Sequence, residues 1–177
     1  RTAAQQFKRI PVTVLDSMQI SLGTGFVVLE AARSIAEGLH LKDILSKLEA
    51  LHPRVFVFAA LDTLEFLRRS GRMNGVVAGI GGALQLKPIL KMNLGDPTSD
   101  RVRTKERAIQ RLINLLNGVG SLEKLALVHT NAPQAADQLW ERVKANFPDL
   151  PKPWSVNVTP VLGTHLGPKV VGFALVQ

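Results

Sequence analysis

The sequence predicts an α/β fold that divides near residue 53 into a small first part and a larger second part. Short apolar runs alternate with longer segments of helical periodicity, and glycine, proline or Asp/Asn clusters separate them. The 177 residues, 46% hydrophobic and 20% charged, are enough to bury a core. Repeats and low-complexity tracts are absent from the sequence.

The first part contains one predicted strand and two predicted helices. Residues 12–15 (Val-Thr-Val-Leu) predict a short buried strand that ends at Asp16-Ser17. A glycine-containing turn at residues 21–25 leads into an apolar helix from about 26 to 37, which Gly38 stops. The stripe of a second helix, ended by Pro53, consists of Leu41, Ile44, Leu45 and Leu48. These elements are too few for a domain, so we expect an N-terminal portion to pack there.

The second part opens on residues 55–59, whose apolar character on both faces predicts a strand inside a sheet. Asp62-Thr63 then provides cap chemistry for a short helix that Gly71 can terminate. Asn74 is predicted to cap a helix over residues 75–84. Residues 86–92 predict a strand, in which Pro88 favours an edge or a bulge.

Two consecutive strands are expected before the next helix, with a turn at Gly95-Asp96-Pro97. An amphipathic helix follows over residues 104–116 and points Ala108, Ile109, Leu112, Ile113 and Leu116 inward. A strand at 124–129 and a helix from Pro133 come next, with Ala136, Leu139, Trp140 and Val143 inside. The last two predicted elements are strands over residues 155–161 and 169–176.

Composition narrows the possible functions. Without cysteine the chain has neither disulfides nor thiolate metal sites, and its four histidines lack metal-ligand spacing. The net charge of +8 favours anionic ligands or partners. Nucleic acid is the obvious competitor, but tyrosine is absent and the phenylalanines lie mostly in apolar runs. The longest apolar stretch, residues 75–86, is too short to span a bilayer. The sequence shows no secretory signal. Because the chain does not start with Met, Arg1 is not expected to be a natural N-terminus.

Four segments carry features that a core does not need. Asp16-Ser17 with the Gly23-Thr24-Gly25 turn suits an anion at a helix start, although a plain tight turn explains it equally well. It is neither a dinucleotide fingerprint nor a nucleophile elbow. The arginines of residues 61–72 are expected on a solvated face. The basic run 101–105 opposes the dipole of its helix, which favours an anion shared there.

The fourth segment is Gly163-Thr164-His165-Leu166-Gly167-Pro168, placed between two predicted strands. Two glycines and a proline around one histidine predict a fixed loop with close backbone approach. The imidazole of His165 can donate a hydrogen bond to a carboxylate or phosphate oxygen. The alternative is an ordinary hairpin-like connection.

Taken in order, these segments resemble the DegV family of bacterial fatty-acid-binding proteins. The resemblance rests on Asp16-Ser17 with Gly23-Thr24-Gly25, on Asp62-Thr63-Leu64-Glu65-Phe66-Leu67 with Gly71-Arg72, on Leu86-Lys87-Pro88-Ile89-Leu90, on Val102-Arg103-Thr104 with Lys105 and Ala108, and on the closing run 163–168. It covers nearly the whole chain.

The resemblance implies a two-domain α/β architecture that holds a long-chain fatty acid between its domains. Residues 1–53 would then be the end of a parallel-sheet N-terminal domain, and residues 54–177 a mixed α/β C-terminal domain. It also implies a cytoplasmic carrier without catalytic residues or cofactor of its own. Such a carrier presents the carboxylate to a separate ATP-dependent kinase subunit, which makes acyl-phosphate for phospholipid synthesis.

The site residues expected on this basis fall into two groups. Near the carboxylate or the kinase-facing surface we expect His165, Arg103 and Thr164. The acyl-chain lining is expected to include Phe26, Met73, Val77, Ile80 and Leu84, all of which could instead be core. A dozen buried methylene groups would supply roughly 10 kcal/mol before the costs of association.

The chain departs from the family pattern at Lys169, where glycine is usual, and at Asn74, where serine is common. Relatives also carry an upstream Ser-Gly-x-Ser-Gly-Thr type segment whose hydroxyls hold the carboxylate. We therefore expect the 177-residue chain alone to bind lipid weakly or not at all.

Two other functions stay open at this point. One is an anion- or nucleic-acid-binding module driven by the basic charge, with an affinity that falls steeply with salt. The other is a hydrolase that uses Ser17, Asp16 and His165, although no residue of the sequence visibly activates Ser17.

Overall fold

The computed structural model describes residues 2–7, 9–72 and 86–177. Within them lie six α-helices: α1 (Ser21–Ala36), α2 (Leu41–Leu51), α3 (Glu65–Arg69), α4 (Lys105–Gly118), α5 (Pro133–Val143) and α6 (Pro160–Leu166). The same residues form six strands: β1 (Val55–Ala60), β2 (Lys87–Asn93), β3 (Asp96–Val102), β4 (Lys124–His129), β5 (Trp154–Asn157) and β6 (Val171–Val176).

The six strands form one mixed sheet in the order β3-β2-β1-β6-β4-β5. Neighbouring strands are antiparallel except β4 and β5, which are parallel. The last strand in sequence, β6, lies at the centre, and all six of its residues are buried. Apolar residues at every position of β6 fit this place, because a central strand contacts packed layers on both faces.

Helices α4 and α5 cover one face of the sheet. Alternate strand residues, among them Phe58, Leu127 and Phe173, point to these helices, since successive side chains of a strand face opposite sides. The helices contribute the inward stripes predicted from the sequence, with Leu112 and Leu116 fully buried. This layer is the largest part of the core.

Two separate helix pairs cover the opposite face. At one end α1 and α2 pack against Val57, Ala126 and Ala174. At the other end α3 and α6 pack against residues that include Ala59 and Val170. The face between the two pairs is left without a covering helix from the described residues.

The α/β class and most predicted elements are confirmed, with shifted ends. Residues 133–143 and 124–129 have the predicted structure, and Thr104 caps α4 by accepting a hydrogen bond from the Arg107 amide. Thr63 accepts from the Glu65 amide, and Gly71 has the left-handed conformation expected after α3. The helix predicted over 75–84 lies outside the described residues. The domain boundary near residue 53 stays a prediction.

The strand predicted at residues 12–15 is wrong. These residues have no strand partner in the described part of the chain, and Val12 and Val14 are each 48% exposed. Apolar β-branched residues favour extended backbone, but a strand needs a neighbour to complete its hydrogen bonds.

The turn predicted at residues 21–25 is also wrong, because α1 already begins at Ser21. Its glycines allow close packing: a Cβ at Gly23 would lie 2.8 Å from a Val57 methyl carbon and 2.8 Å from the Gln19 side-chain oxygen. The first turn of α1 can therefore approach β1 directly.

The position expected for Pro88 needs a correction, since β2 lies between β1 and β3 and is not an edge strand. The Pro88 carbonyl accepts a hydrogen bond from the Leu61 amide, just past the end of β1 at Ala60. The backbone nitrogen and carbonyl of one strand residue point to the same side. The position where Pro88 lacks an N–H therefore also faces Leu61, beyond the last β1 residue, so no hydrogen bond inside the β1–β2 pairing is lost.

The hairpin turn between β2 and β3 lies one residue earlier than predicted. Leu94 and Gly95, not Gly95-Asp96-Pro97, form it, with positive φ angles of 49° and 76°. Two left-handed residues match the twist of a two-residue hairpin, so Asp96 and Pro97 already belong to β3.

The loop predicted at residues 163–168 is wrong for its first four residues. Residues up to Leu166 belong to α6, and the preceding strand β5 ends at Asn157. Packing of Leu162 and Leu166 on α3 supports a helix that contains Gly163.

No helix among residues 2–7, 9–72 and 86–177 has both the length and the apolar character needed to cross a membrane. In the same ranges, no three metal-binding side chains of the His, Asp and Glu type group closely enough to hold an ion.

A charged network fastens α1 to α2 and to β4. Glu30 of α1 is only 8% exposed and receives Lys47 of α2 at 2.8 Å and Lys124 of β4 at 3.4 Å. The hydrogen bond from Lys47 and the nearby Lys124 outweigh burial and hold the pKa of Glu30 below its ordinary value of 4.5. The network therefore favours the folded state while Glu30 is ionised.

We expect Glu30→Gln to lower the free energy of unfolding at neutral pH by about 1–3 kcal/mol, because it removes charge-assisted hydrogen bonds from a buried group. The pKa is lower in the folded than in the unfolded state, so this stabilisation is present above pH 4.5 and is lost as the pH falls further. Urea unfolding at several pH values measures both effects.

Glu141→Gln is the control, since Glu141 pairs with Lys144 on the surface, outside the network, and its side chain is 61% exposed. Its effect should be small. An equal loss in both variants, or a Glu30→Gln loss that persists in acid, would contradict the network's role.

Candidate functional site

An apolar cavity of about 250 Å³ lies on the sheet face between the two helix pairs. Its floor consists of Val57, Ala59, Leu90, Met92 and Val128. Ile20 and Ser21 at the start of α1 line one side, and Leu67, Leu162, Leu166 and Val170 line the side formed by α3, α6 and the start of the last strand. Such a cavity suits an apolar ligand.

The register of the sheet creates this cavity. Ala59 pairs with Leu90 on one side and with Gly172 on the other, and Gly172 also pairs with Val128. The floor between Ala59 and Val128 therefore carries no side chain. A Cβ at Gly172 would meet the Phe58 carbonyl oxygen and lie 2.7 Å from the Ala59 Cα, so larger residues are excluded there.

His165 lines this cavity from the last turn of α6. Its Nδ1 atom is buried and has no hydrogen-bond partner among the described residues. Buried polar atoms in proteins are nearly always paired, because an unpaired one costs about 1–3 kcal/mol. An unpaired nitrogen on a residue that lines an apolar cavity is consistent with a group that bonds a ligand after a small rotation of the ring.

Arg72 lines the same cavity, although it is not among the site residues expected from the sequence. It follows Gly71, whose left-handed conformation ends α3 and turns the chain. One guanidinium nitrogen donates to the Ser70 carbonyl at 3.0 Å, and within the described ranges Arg72 has no carboxylate partner. A guanidinium and an imidazole on one cavity suit a carboxylate.

The other arginines of α3 behave as predicted for a solvated face. Arg68 and Arg69 are exposed and pair with Glu65 at 2.8 and 2.7 Å. Their hydrogen bonds lower the pKa of Glu65 to about 2. Arg72 carries the same charge as Arg68 and Arg69 but differs from them in its position after Gly71, which places it at the cavity.

The remaining predicted site residues do not meet His165 at this cavity. Thr164 is exposed and donates to the Val161 carbonyl of its own helix, and Arg103 is exposed before α4. Phe26 is buried and lines a different groove, which also includes Leu29 and Trp154. The predicted lining residues Met73, Val77, Ile80 and Leu84 lie outside the described residues. Their roles stay predictions.

The groups required for a hydrolase are not assembled in the described ranges. The Ser17 hydroxyl bonds the Thr24 hydroxyl at 3.0 Å and the Gln19 backbone, while Asp16 accepts from the Met18 amide. Neither is hydrogen bonded to His165, so Ser17 has no base.

A basic cluster lies on the face of α4 at the end of the sheet. Lys87, Lys105 and Lys169 line one small cavity together with Asp62. The hydrogen bond from Lys87, at 2.7 Å, is the main cause of a lowered pKa of Asp62. Three cations around one carboxylate leave this end of the sheet positive. The anion expected at the basic run 101–105 stays a prediction.

The turn after His165 depends on Gly167. Its φ of 80° and ψ of 176° lie in a region essentially restricted to glycine. A Cβ there would also meet the ring of Phe66, including its Cε2 atom at 2.7 Å. Phe66 of α3 and the end of α6 are thus in direct contact beside the cavity.

Comparison with known proteins places these features in a family. The chain matches, over residues 1–177, the family described as "Uncharacterised protein, DegV family". It is 32% identical to Protein DegV of Bacillus subtilis over 168 residues, which are 92% of this chain and 59% of that protein. It is 33% identical to a DegV domain-containing protein of Deinococcus radiodurans over 178 residues, 99% of this chain and 63% of that protein.

Solved structures give the same result. One, described as DegV, a fatty acid binding protein from Bacillus subtilis, has a TM-score of 0.86 and 30% identity, covering 99% of this chain and 64% of that one. Another, described as showing fatty acid binding of a DegV family protein from Thermus thermophilus, has the same values. The chain spans about three fifths of the length of these relatives.

We expect Gly167→Ala to lower the free energy of unfolding by about 2 kcal/mol or more, because alanine strains this backbone conformation and contacts Phe66. Gly163→Ala in the same helix is the control. A Cβ at Gly163 meets no neighbour within 4 Å, so alanine there should be neutral or stabilise by about 0.5–1 kcal/mol. Urea unfolding compares the two, and equal effects would mean that the turn tolerates a side chain.

Proposed function

The chain belongs to the DegV family, and on that premise we propose that it binds a long-chain fatty acid whose carboxylate lies at His165 and Arg72. The observation that carries this proposal is the buried Nδ1 atom of His165, which lacks a partner among the described residues. A protonated Nδ1 can donate to a carboxylate oxygen and so satisfy the buried nitrogen. The relatives from Bacillus subtilis and Thermus thermophilus, described as fatty acid binding, support the same ligand.

The acyl chain would take its affinity from the apolar cavity. Its floor offers only aliphatic side chains and Met92, which can exclude water from methylene groups but cannot select an end of the ligand. The charged and polar groups then orient the molecule. We propose that Phe26, Met73, Val77, Ile80 and Leu84 extend the acyl site beyond the described cavity.

We further propose that the protein is a carrier without catalysis of its own and presents the carboxylate to a separate ATP-dependent kinase subunit. The kinase would form the acyl-phosphate used in phospholipid synthesis, in the cytoplasm. The basic end of the sheet, with exposed Arg103 and Lys105, supports an acidic partner. Thr164, exposed on α6 beside His165, would lie on the same route of approach.

We expect His165→Ala to weaken fatty-acid binding by about tenfold to a hundredfold, because it removes a charge-assisted hydrogen bond. The measurement is titration of the protein at its full natural length with oleate and palmitate by calorimetry. Mass spectrometry of a solvent extract of the purified protein should identify bound fatty acid.

His40→Ala is the matched control, since His40 is an exposed histidine before α2 that makes no side-chain cap hydrogen bond. Ala59→Leu fills the floor of the cavity and should also weaken binding, although it leaves His165 in place. Protein that contains no extractable lipid and gains no thermal stability with either acid would rule out the fatty-acid proposal.

A second experiment tests the kinase proposal by itself. Arg103→Glu should slow acyl-phosphate formation with the kinase subunit of the same organism by about tenfold or more, since it reverses a charge at the basic surface. Fatty-acid affinity should not change, because Arg103 does not line the cavity. An unchanged rate of acyl-phosphate formation would contradict the docking role of Arg103. An equal loss of fatty-acid affinity would mean that Arg103 acts on ligand binding instead.

A further inference from the structure

Thr130, directly after β4, makes four hydrogen bonds to the segment that follows His165. Its hydroxyl donates to the Gly167 carbonyl at 2.6 Å and accepts from the Val170 amide at 2.9 Å. Its backbone amide donates to the Val170 carbonyl at 3.0 Å, and its carbonyl accepts from the Lys169 amide at 2.9 Å. One residue thus bonds both ends of this four-residue turn.

The hydroxyl of Thr130 satisfies two backbone groups that water cannot reach easily. Thr130 is 6% exposed and Val170 is 1% exposed. A hydroxyl can donate one hydrogen bond and accept another at the same time, which neither an aliphatic side chain nor a lysine ammonium group can do. Loss of the hydroxyl would leave a buried donor and a buried acceptor without partners.

The turn itself has little intrinsic preference for its shape. Gly167 and Lys169 both have positive φ angles, of 80° and 64°. Lys169 is a side-chain-bearing residue in a conformation that favours glycine, so external hydrogen bonds have to hold it there.

The same turn fixes the end of α6. The Gly167 amide donates to the Gly163 carbonyl at 2.8 Å and closes the last turn of the helix, which contains His165. Gly167 is therefore bonded through its N–H to α6 and through its C=O to Thr130. Displacement of the Gly167 carbonyl would rotate or fray the turn on which His165 lies.

We propose that Thr130 is a positioning residue that sets the orientation of the His165 imidazole at the cavity. It does not contact the ligand site, since it does not line the cavity. It acts through Gly167 and the last turn of α6. The consequence for affinity rests on the proposed function, whereas the effect on the orientation of His165 does not.

The test compares Thr130→Val, which keeps the shape and removes the hydroxyl, with Thr130→Ser, which keeps the hydroxyl. Ring ¹⁵N and ¹H chemical shifts of His165, assigned with His165→Ala, report its environment without ligand. Thr130→Val should move these shifts and weaken oleate binding by about tenfold, as expected for loss of hydrogen bonds to buried groups. Thr130→Ser should restore both to wild-type values.

Thr104→Val is the matched control, because it also removes a threonine hydroxyl that accepts a backbone N–H, but on α4 at the opposite face. It should lower stability without moving the His165 shifts or the oleate affinity. If Thr130→Val does not fold, Thr130→Cys replaces it, since a thiol is a weak donor and acceptor and should move the His165 shifts in part.

The proposal is overturned if Thr130→Val, or Thr130→Cys in its place, leaves the His165 shifts unchanged. It is also overturned if Thr130→Ser perturbs them as much as the variant without a hydroxyl. All variants are made in the protein at its full natural length. Wild-type protein of that length that binds no oleate would instead reject the fatty-acid function, and the His165 shifts would then decide the role of Thr130 alone.

Discussion

The pairing of β6 between β1 and β4 is the interaction on which the rest of the structure depends. It joins β3, β2 and β1 to β4 and β5, which would otherwise be two separate sheets. The close approach at Gly172, where a Cβ would meet the backbone of Phe58 and Ala59, allows this pairing and also leaves the cavity floor bare. The same contact therefore supports both the fold and the site. Packing of α4 and α5 on one face, and of two helix pairs on the other, follows from having one continuous sheet.

Much of this fold could be predicted where apolar periodicity is strong and local. Helices α4 and α5 present clear stripes, and β4 is a short run of buried residues. The sequence therefore predicts the bounds of α4 and β4 within two residues and the start of α5 at Pro133. Helix α6 was missed because Val161, Gly163 and Thr164 have low helix propensity. It is stabilised by contacts of Leu162 and Leu166 with α3, although Pro160 at its first position is a helix signal. The opposite error at residues 12–15 has the same origin, since propensity alone cannot supply a strand partner.

The candidate site was predictable only in part. His165 was identified because an unusual run of glycine, histidine and proline surrounds it, and this run also carries the family resemblance. The local pattern indicates the left-handed Gly71. Arg72 reaches the cavity because α3 packs beside it, and no local pattern indicates that position. Thr130 follows an ordinary buried strand, and its significance appears only when residues 37 and 40 positions later fold back against it. Residues that act through a turn made by a distant segment leave little signal in a single sequence.

The central place of β6 also has a consequence for how the chain acquires its structure. The ribosome makes β6 after the other five strands of the sheet. Because β6 pairs with both β1 and β4, each of these strands has one edge without its partner until β6 is synthesised. Pairings between segments more than a hundred residues apart, such as Val55 with Val176, form slowly because long loops must close first. Until then two apolar edges can recruit strands from neighbouring nascent chains. Chaperone demand should therefore be greatest just before β6 emerges.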